Sequence, residues 1–191
     1  VWDDHIFLTP AVSAGEERPP VRGLYDPGAD SGATRSTATH RWLVYDLDFQ
    51  TGAVRWEREL FATVPGIERH LKNSFASETP VTDGERLYVY FGTIGLVAAL
   101  DLDGEEVWRR ELGVYNGRQR FGTAASPALH EGRLFVVNDN TTQSFLVALD
   151  AETGDEIWVA AGTYYPDYGD AVFEGDRFAA FELKIGVSLY G

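Results

Sequence analysis

Four histidines are the first candidates for chemistry in this 191-residue chain: His5, His40, His70 and His130. A metal centre or a general base needs two or three such groups converging with carboxylates. No two of the four stand at the i, i+2 or i, i+4 spacing that one strand face or one helical turn brings together. His130 falls in a turn between apolar runs, where solvation is expected, while His40 and His70 border longer connections. Carboxylates are more concentrated. The runs Asp101 to Glu106 and Asp150 to Asp155 resemble fragments of calcium loops, in which alternating acidic side chains supply hard oxygen ligands. Neither completes such a loop, and the plainer reading is turn chemistry, in which Asp accepts nearby backbone N–H groups. The chain has no cysteine, which removes disulfides, thiolate metal sites and cysteine nucleophiles.

Cations are scarce and clustered. Lys plus Arg number 16 against 30 Asp plus Glu, yet Arg69 and Lys72 share the connection Phe61 to Phe75, and Arg118 and Arg120 share the connection Gly113 to Phe121. Together they predict a basic rim, with guanidinium forks suited to a carboxylate or phosphate ligand. The alternative is solvated charge balancing neighbouring carboxylates. Tyr164 and Tyr165 fall in the next equivalent connection and offer aromatic faces to a peptide or sugar, or to packing.

These residues hang on a repeat. Tyr45 to Trp56, Ala99 to Trp108 and Ala148 to Trp158 align as an apolar strand ending in Asp, a turn holding Gly52, Gly104 or Gly154, and a strand carrying the tryptophan. The tryptophans stand 52 and 50 residues apart, the period of a propeller blade. Each copy is a β-hairpin, because glycine accepts positive φ in the turn. A second strand pair precedes it: Thr79 to Phe91 matches Ser126 to Val137, with β-branched and aromatic enrichment around a glycine turn. The fold class is therefore all-β, a β-propeller of about four four-stranded blades, approximately residues 1–60, 74–112, 122–160 and 168–191.

Both terminal blades are read as incomplete. Val1 to Thr9 supplies a turn and a second strand without a first, and Asp170 to Gly191 supplies three strands without a fourth. The expectation is a piece of a larger propeller, or self-association through the incomplete blades, because open sheet edges seek partners. The connection Ser13 to His40, rich in Pro and Gly, is longer than a hairpin needs and reads as a surface loop or as a lid that contacts a partner.

A formal net charge of -14 repels phosphates, so nucleic acid is disfavoured as a partner. No stretch approaches the roughly 18 apolar residues of a membrane-spanning helix. The chain opens at Val1 and holds no methionine, so its natural start is expected upstream.

The pattern Ala-Leu-Asp-x-x-Thr-Gly-x-x-x-Trp at Ala148 to Trp158 resembles the repeat of PQQ-like β-propellers, the quinoprotein alcohol dehydrogenase-like family. The resemblance implies that Trp56, Trp108 and Trp158 dock each blade on its neighbour. It implies a periplasmic or secreted location, and a choice between two functions. The first is a non-catalytic scaffold presenting loops to a protein or small-molecule partner, with no cofactor. The second is a fragment of an oxidoreductase using PQQ with Ca²⁺ or another metal. The dehydrogenases of the family close a vicinal cysteine pair over the quinone, and this chain has none. The scaffold is the leading expectation.

Overall fold

Strand and glycine turn alternate along the chain. A computed structural model describes residues 1–15, 33–117, 120–142 and 144–161. The first six strands are β1 (His5–Leu8), β2 (Ala11–Ser13), β3 (Ala33–Thr34), β4 (His40–Asp48), β5 (Val54–Thr63) and β6 (Arg69–His70). β1 and β2 pair antiparallel with the same edge of β4, His5 opposite Asp48 and Ser13 opposite His40, while β5 takes the other edge. They are one strand interrupted at Thr9 and Pro10. Pro10 has no N–H to give, but its carbonyl accepts from Leu43 N at 3.0 Å and the ladder resumes. The second strand of this blade thus runs past Thr9, where the sequence reading had ended it. A short pair, β3 with β6, ties the long connection to the link that follows β5.

The second sheet is a meander of β7 (Val81–Thr82), β8 (Arg86–Phe91), β9 (Leu96–Asp101) and β10 (Glu106–Glu111). The third repeats it with β11 (Ala128–His130), β12 (Arg133–Asn138), β13 (Phe145–Asp150) and β14 (Glu156–Ala161). All pairings are antiparallel, and no helix among the described residues is long and apolar enough to cross a membrane. The fourth expected blade, and most of the loop after Ser13, lie outside the described residues.

The middle sheet is apolar on both faces, which is what stacks the blades. Successive side chains of a strand point to opposite faces. Leu87, Val89 and Phe91, with Leu96, Ala98 and Leu100, meet Trp42, Val44 and Leu60 of the first sheet and Phe75 of the link that follows it. Their alternates Tyr88, Tyr90, Val97 and Ala99 meet Leu134, Val136, Val147 and Leu149 of the third. Each large apolar side chain buried this way contributes about 1.5–3 kcal/mol before entropy is counted. The described sheets form a row of three face-to-face blades that does not close into a ring. Strand connectivity puts the inter-blade links and the β8–β9 type turns at one end of the row, called here the link face. The short β7–β8 type turns and the tryptophan hairpins lie at the other, the turn face.

Candidate functional site

Each described repeat tryptophan reaches over to the next blade. The Trp108 ring is buried, its Nε1 donates to the Ala151 carbonyl at 3.0 Å, and a Cβ on Gly154 would come within 2.6 Å of the ring. Trp56, half-buried, donates to the Leu102 carbonyl at 2.8 Å and lies on Gly104, where a Cβ would come within 2.7 Å. The sequence explains those glycines by their turns, and both do have positive φ, 71° at Gly154 and 83° at Gly104. The structure adds a second reason: the preceding blade's indole occupies the space of a side chain. The Trp158 side chain lies outside the described residues.

The carboxylates of the hairpins serve their own turns. Asp48 Oδ1 accepts from Gln50 N and Thr51 N, Asp101 Oδ1 from Asp103 N and Glu105 N, and Asp150 Oδ1 from Glu152 N and Thr153 N, all at 2.8–3.1 Å. The Thr51 hydroxyl, then the Arg55 guanidinium, hold Asp48 well below the usual carboxylate range. The Thr153 N–H does most to lower Asp150. Among the described residues no three His, Asp or Glu side chains are grouped to hold a metal.

At the link face the expected rim is divided. Arg69 is buried, its Nη1 donating to the His70 and Asn73 carbonyls at 3.3 and 2.9 Å and its Cζ 5.0 Å from the centre of the Phe75 ring. Its guanidinium braces its own loop instead of facing solvent, because a planar donor fork with an apolar stem suits a carbonyl-lined niche beside an aromatic ring. Lys72 is exposed, and Arg120 is exposed beside Glu68, Nε to Oε2 at 3.3 Å. Arg118, Tyr164 and Tyr165 lie outside the described residues. His130 is exposed at the end of β11, just before the turn in which the sequence places it; His40 is buried against Trp42 and Phe75; His70 sets its ring edge-on to Phe121.

The two links are tied to one another. His70 N donates to the Phe121 carbonyl at 3.1 Å, and Asn73 Nδ2 donates to the same oxygen at 2.8 Å and to the Thr123 carbonyl at 3.3 Å. Gly66 packs beside the Val114 side chain. On this braced surface Val64, Val114 and Phe121 are 44%, 49% and 38% exposed.

Two buried carboxylates went unremarked in the sequence. Asp46 is fully buried at the repeat position that holds Ala99 and Ala148 in the other blades; its Oδ2 lies 2.8 Å from His5 Nδ1, and its Oδ1 has no hydrogen-bond partner among the described residues. Its signal was legible as an Asp replacing the repeat's Ala. Glu78 precedes β7 where three blades meet. Its carbonyl accepts from the Thr9 hydroxyl, its Oε1 accepts from Gly92 N at 3.2 Å, and its Oε2 has no partner among the described residues. Burial raises its pKa above the ordinary value, opposed in part by the Thr123 hydroxyl. Nearby, Asn138 Nδ2 donates to Tyr90 Oη at 2.8 Å and Asn140 Nδ2 to Asn138 Oδ1 at 2.8 Å. Burial pushes Tyr90 up to about 12.

Four-stranded sheets stacked face to face, with a tryptophan-on-glycine clasp at each described junction, define a β-propeller built of PQQ-type repeats. A family model described as outer membrane protein assembly factor BamB matches residues 40–182, and the chain belongs to that PQQ-like repeat family. Solved structures with similar chains include BamB from Moraxella catarrhalis, 23% identical over 64% of this chain and 33% of that one, TM-score 0.44. Others are the quinohemoprotein alcohol dehydrogenase ADHIIG from Pseudomonas putida HK5, 17% identical over 69% and 20%, TM-score 0.49, and that of Comamonas testosteroni, 20% identical over 83% and 23%, TM-score 0.45. The chain thus spans a third or less of the length of these solved chains. No curated protein matches it significantly.

Proposed function

We propose that the chain is a non-catalytic propeller scaffold, outside the cytoplasm, whose link face holds a protein partner. The observation that carries this reading is the pair of links, bonded to each other through His70, Asn73 and the Phe121 carbonyl, which presents Val64, Val114 and Phe121 to solvent beside the Arg120–Glu68 pair. An apolar patch with a polar rim is what a protein interface needs, and a surface ordered in advance loses little entropy on binding. Membership in a family described as an outer-membrane assembly factor supports both the protein partner and the extracytoplasmic location.

Photo-crosslinking tests it. A crosslinking residue at Phe121 or Val114, exposed to an envelope extract, is expected to give a discrete adduct with one protein, whereas the same residue at Arg58 on the outer strand gives none. Indistinguishable adduct patterns at the two places contradict the reading. For the oxidoreductase alternative, PQQ with Ca²⁺ and an artificial electron acceptor is expected to give no alcohol or sugar oxidation, and turnover would reverse the assignment.

A further inference from the structure

Two corresponding places on the turn face differ in one respect. At the first junction Trp2 closes the turn into β1, with Trp2 N to His5 O at 3.0 Å and His5 N to Trp2 O at 2.8 Å. Its indole lies on the corresponding turn of the next blade, where a Cβ on Gly84 would come within 2.7 Å of the ring. In the second blade the position matching Trp2 is Asp83, which closes its turn onto Arg86. That side chain folds back on its own blade: Oδ1 accepts from Glu85 N and Arg86 N at 2.9 and 2.7 Å, and Oδ2 accepts from the Tyr88 hydroxyl at 2.7 Å.

No ring from the second blade therefore covers the turn of the third. Among the described residues nothing lies within 4 Å of a Cβ built on Gly132. A cleft of about 450 Å³ opens there, with Asp83, Arg86 and Tyr88 on one wall and Glu131, Glu152 and Ile157 on the other. Its lining carries Asp83, Glu131, Asp150 and Glu152 against Arg86 and Arg133, an acidic balance. Ile157 is 48% exposed.

We propose that this cleft is a docking site for a tryptophan side chain carried by a basic protein segment. The ring lies over the Glu131–Gly132 turn beside Ile157, as Trp2 lies over Gly84. The Arg86 guanidinium offers the ring a cation–π face, and flanking Lys or Arg residues of the partner meet Glu131 and Glu152. A buried aromatic anchor with charged neighbours is a common form of protein-binding hot spot. The site stands at the opposite end of the blades from the links, so it is independent of the link-face reading.

The test uses the whole chain and the capped tripeptides Lys-Trp-Lys and Lys-Ala-Lys, followed by amide chemical shifts. Lys-Trp-Lys is expected to give saturable shifts at Gly132, Glu152 and Ile157, and Lys-Ala-Lys to bind at least about tenfold more weakly, a difference of about 1.4 kcal/mol. The exposed pair Glu131→Lys and Glu152→Lys weakens Lys-Trp-Lys by a similar factor without touching the core. Trp2→Ala opens the first junction and adds shifts at Gly84. Equal binding of the two peptides, or saturable shifts confined to other residues, overturns the proposal.

Discussion

The two blade junctions share one plan and fill it with opposite chemistry. Between the second and third blades the repeat's alanine, Ala99, leaves room for a buried Trp108. The polar groups at that junction, Tyr90, Asn138 and Asn140, are bonded to one another. Between the first and second blades the alanine is replaced by Asp46, whose Oδ1 has no partner among the described residues, and Trp56 is left half-buried. A completed polar network lends specificity to a packed interface, whereas a buried polar atom without a partner costs stability. The second junction should therefore be the stronger.

The largest effect expected from this contrast is at the clasp itself. Trp108→Ala should cost about 3–5 kcal/mol in urea unfolding, the cost of emptying a buried large-aromatic site. Trp56→Ala should cost clearly less, and equal losses would erase the distinction between the junctions. Next comes the polar network: Asn138→Ala strands the Tyr90 hydroxyl and should cost about 1–3 kcal/mol. Asp46→Ala restores the repeat's own residue and removes the buried oxygen that lacks a partner, so it should leave stability within about 1 kcal/mol of the parent or raise it. A loss as large as that of Asn138→Ala would mean that the His5–Asp46 pair supports the first junction.

A smaller effect depends on pH. Burial raises the Glu78 pKa in the folded chain, while the unfolded chain titrates at the ordinary value, so folding favours the protonated form. The stability this contributes is present below the ordinary glutamate range and is lost as pH rises through the raised value. Urea midpoints should accordingly fall over that interval in the parent and fall less in Glu78→Gln, which stays neutral; parallel profiles would remove Glu78 as the source. The smallest change is expected for Asp101→Asn, within about 0.5 kcal/mol, because the amide oxygen can accept the same turn N–H groups. A melting shift on adding Ca²⁺ that this variant abolishes would convert the turn into a cation site.

Much of this contrast is local in the sequence. The hairpins were legible because strand alternation, a turn glycine and a tryptophan recur within a dozen residues, and Asp46 is visible as a departure from the repeat's alanine. What lay beyond reach depends on residues distant in the chain. The burial of Arg69 against Phe75 and its own loop carbonyls depends on how the link folds back, which charge type does not encode. Trp2 and Gly84 are 82 positions apart in the sequence and meet only because successive blades stack. The continuation of the first-blade strand past Pro10 depends on the Pro10 carbonyl finding Leu43, an event invisible in a residue that usually ends strands.

Hydrogen exchange at the indole N–H groups reads the stacking of the blades without perturbing it. The Trp108 proton is held by the Ala151 carbonyl of the third blade, and the Trp42 proton by the Phe75 carbonyl of the following link. Trp56 is half-buried and Trp2 is 44% exposed. Followed by NMR, the Trp108 and Trp42 protons should persist longest, Trp56 should exchange sooner, and Trp2 fastest. A Trp108 proton that exchanges as rapidly as that of Trp2 would mean that the ring is not docked on the next blade, and would contradict the stacked-blade architecture itself.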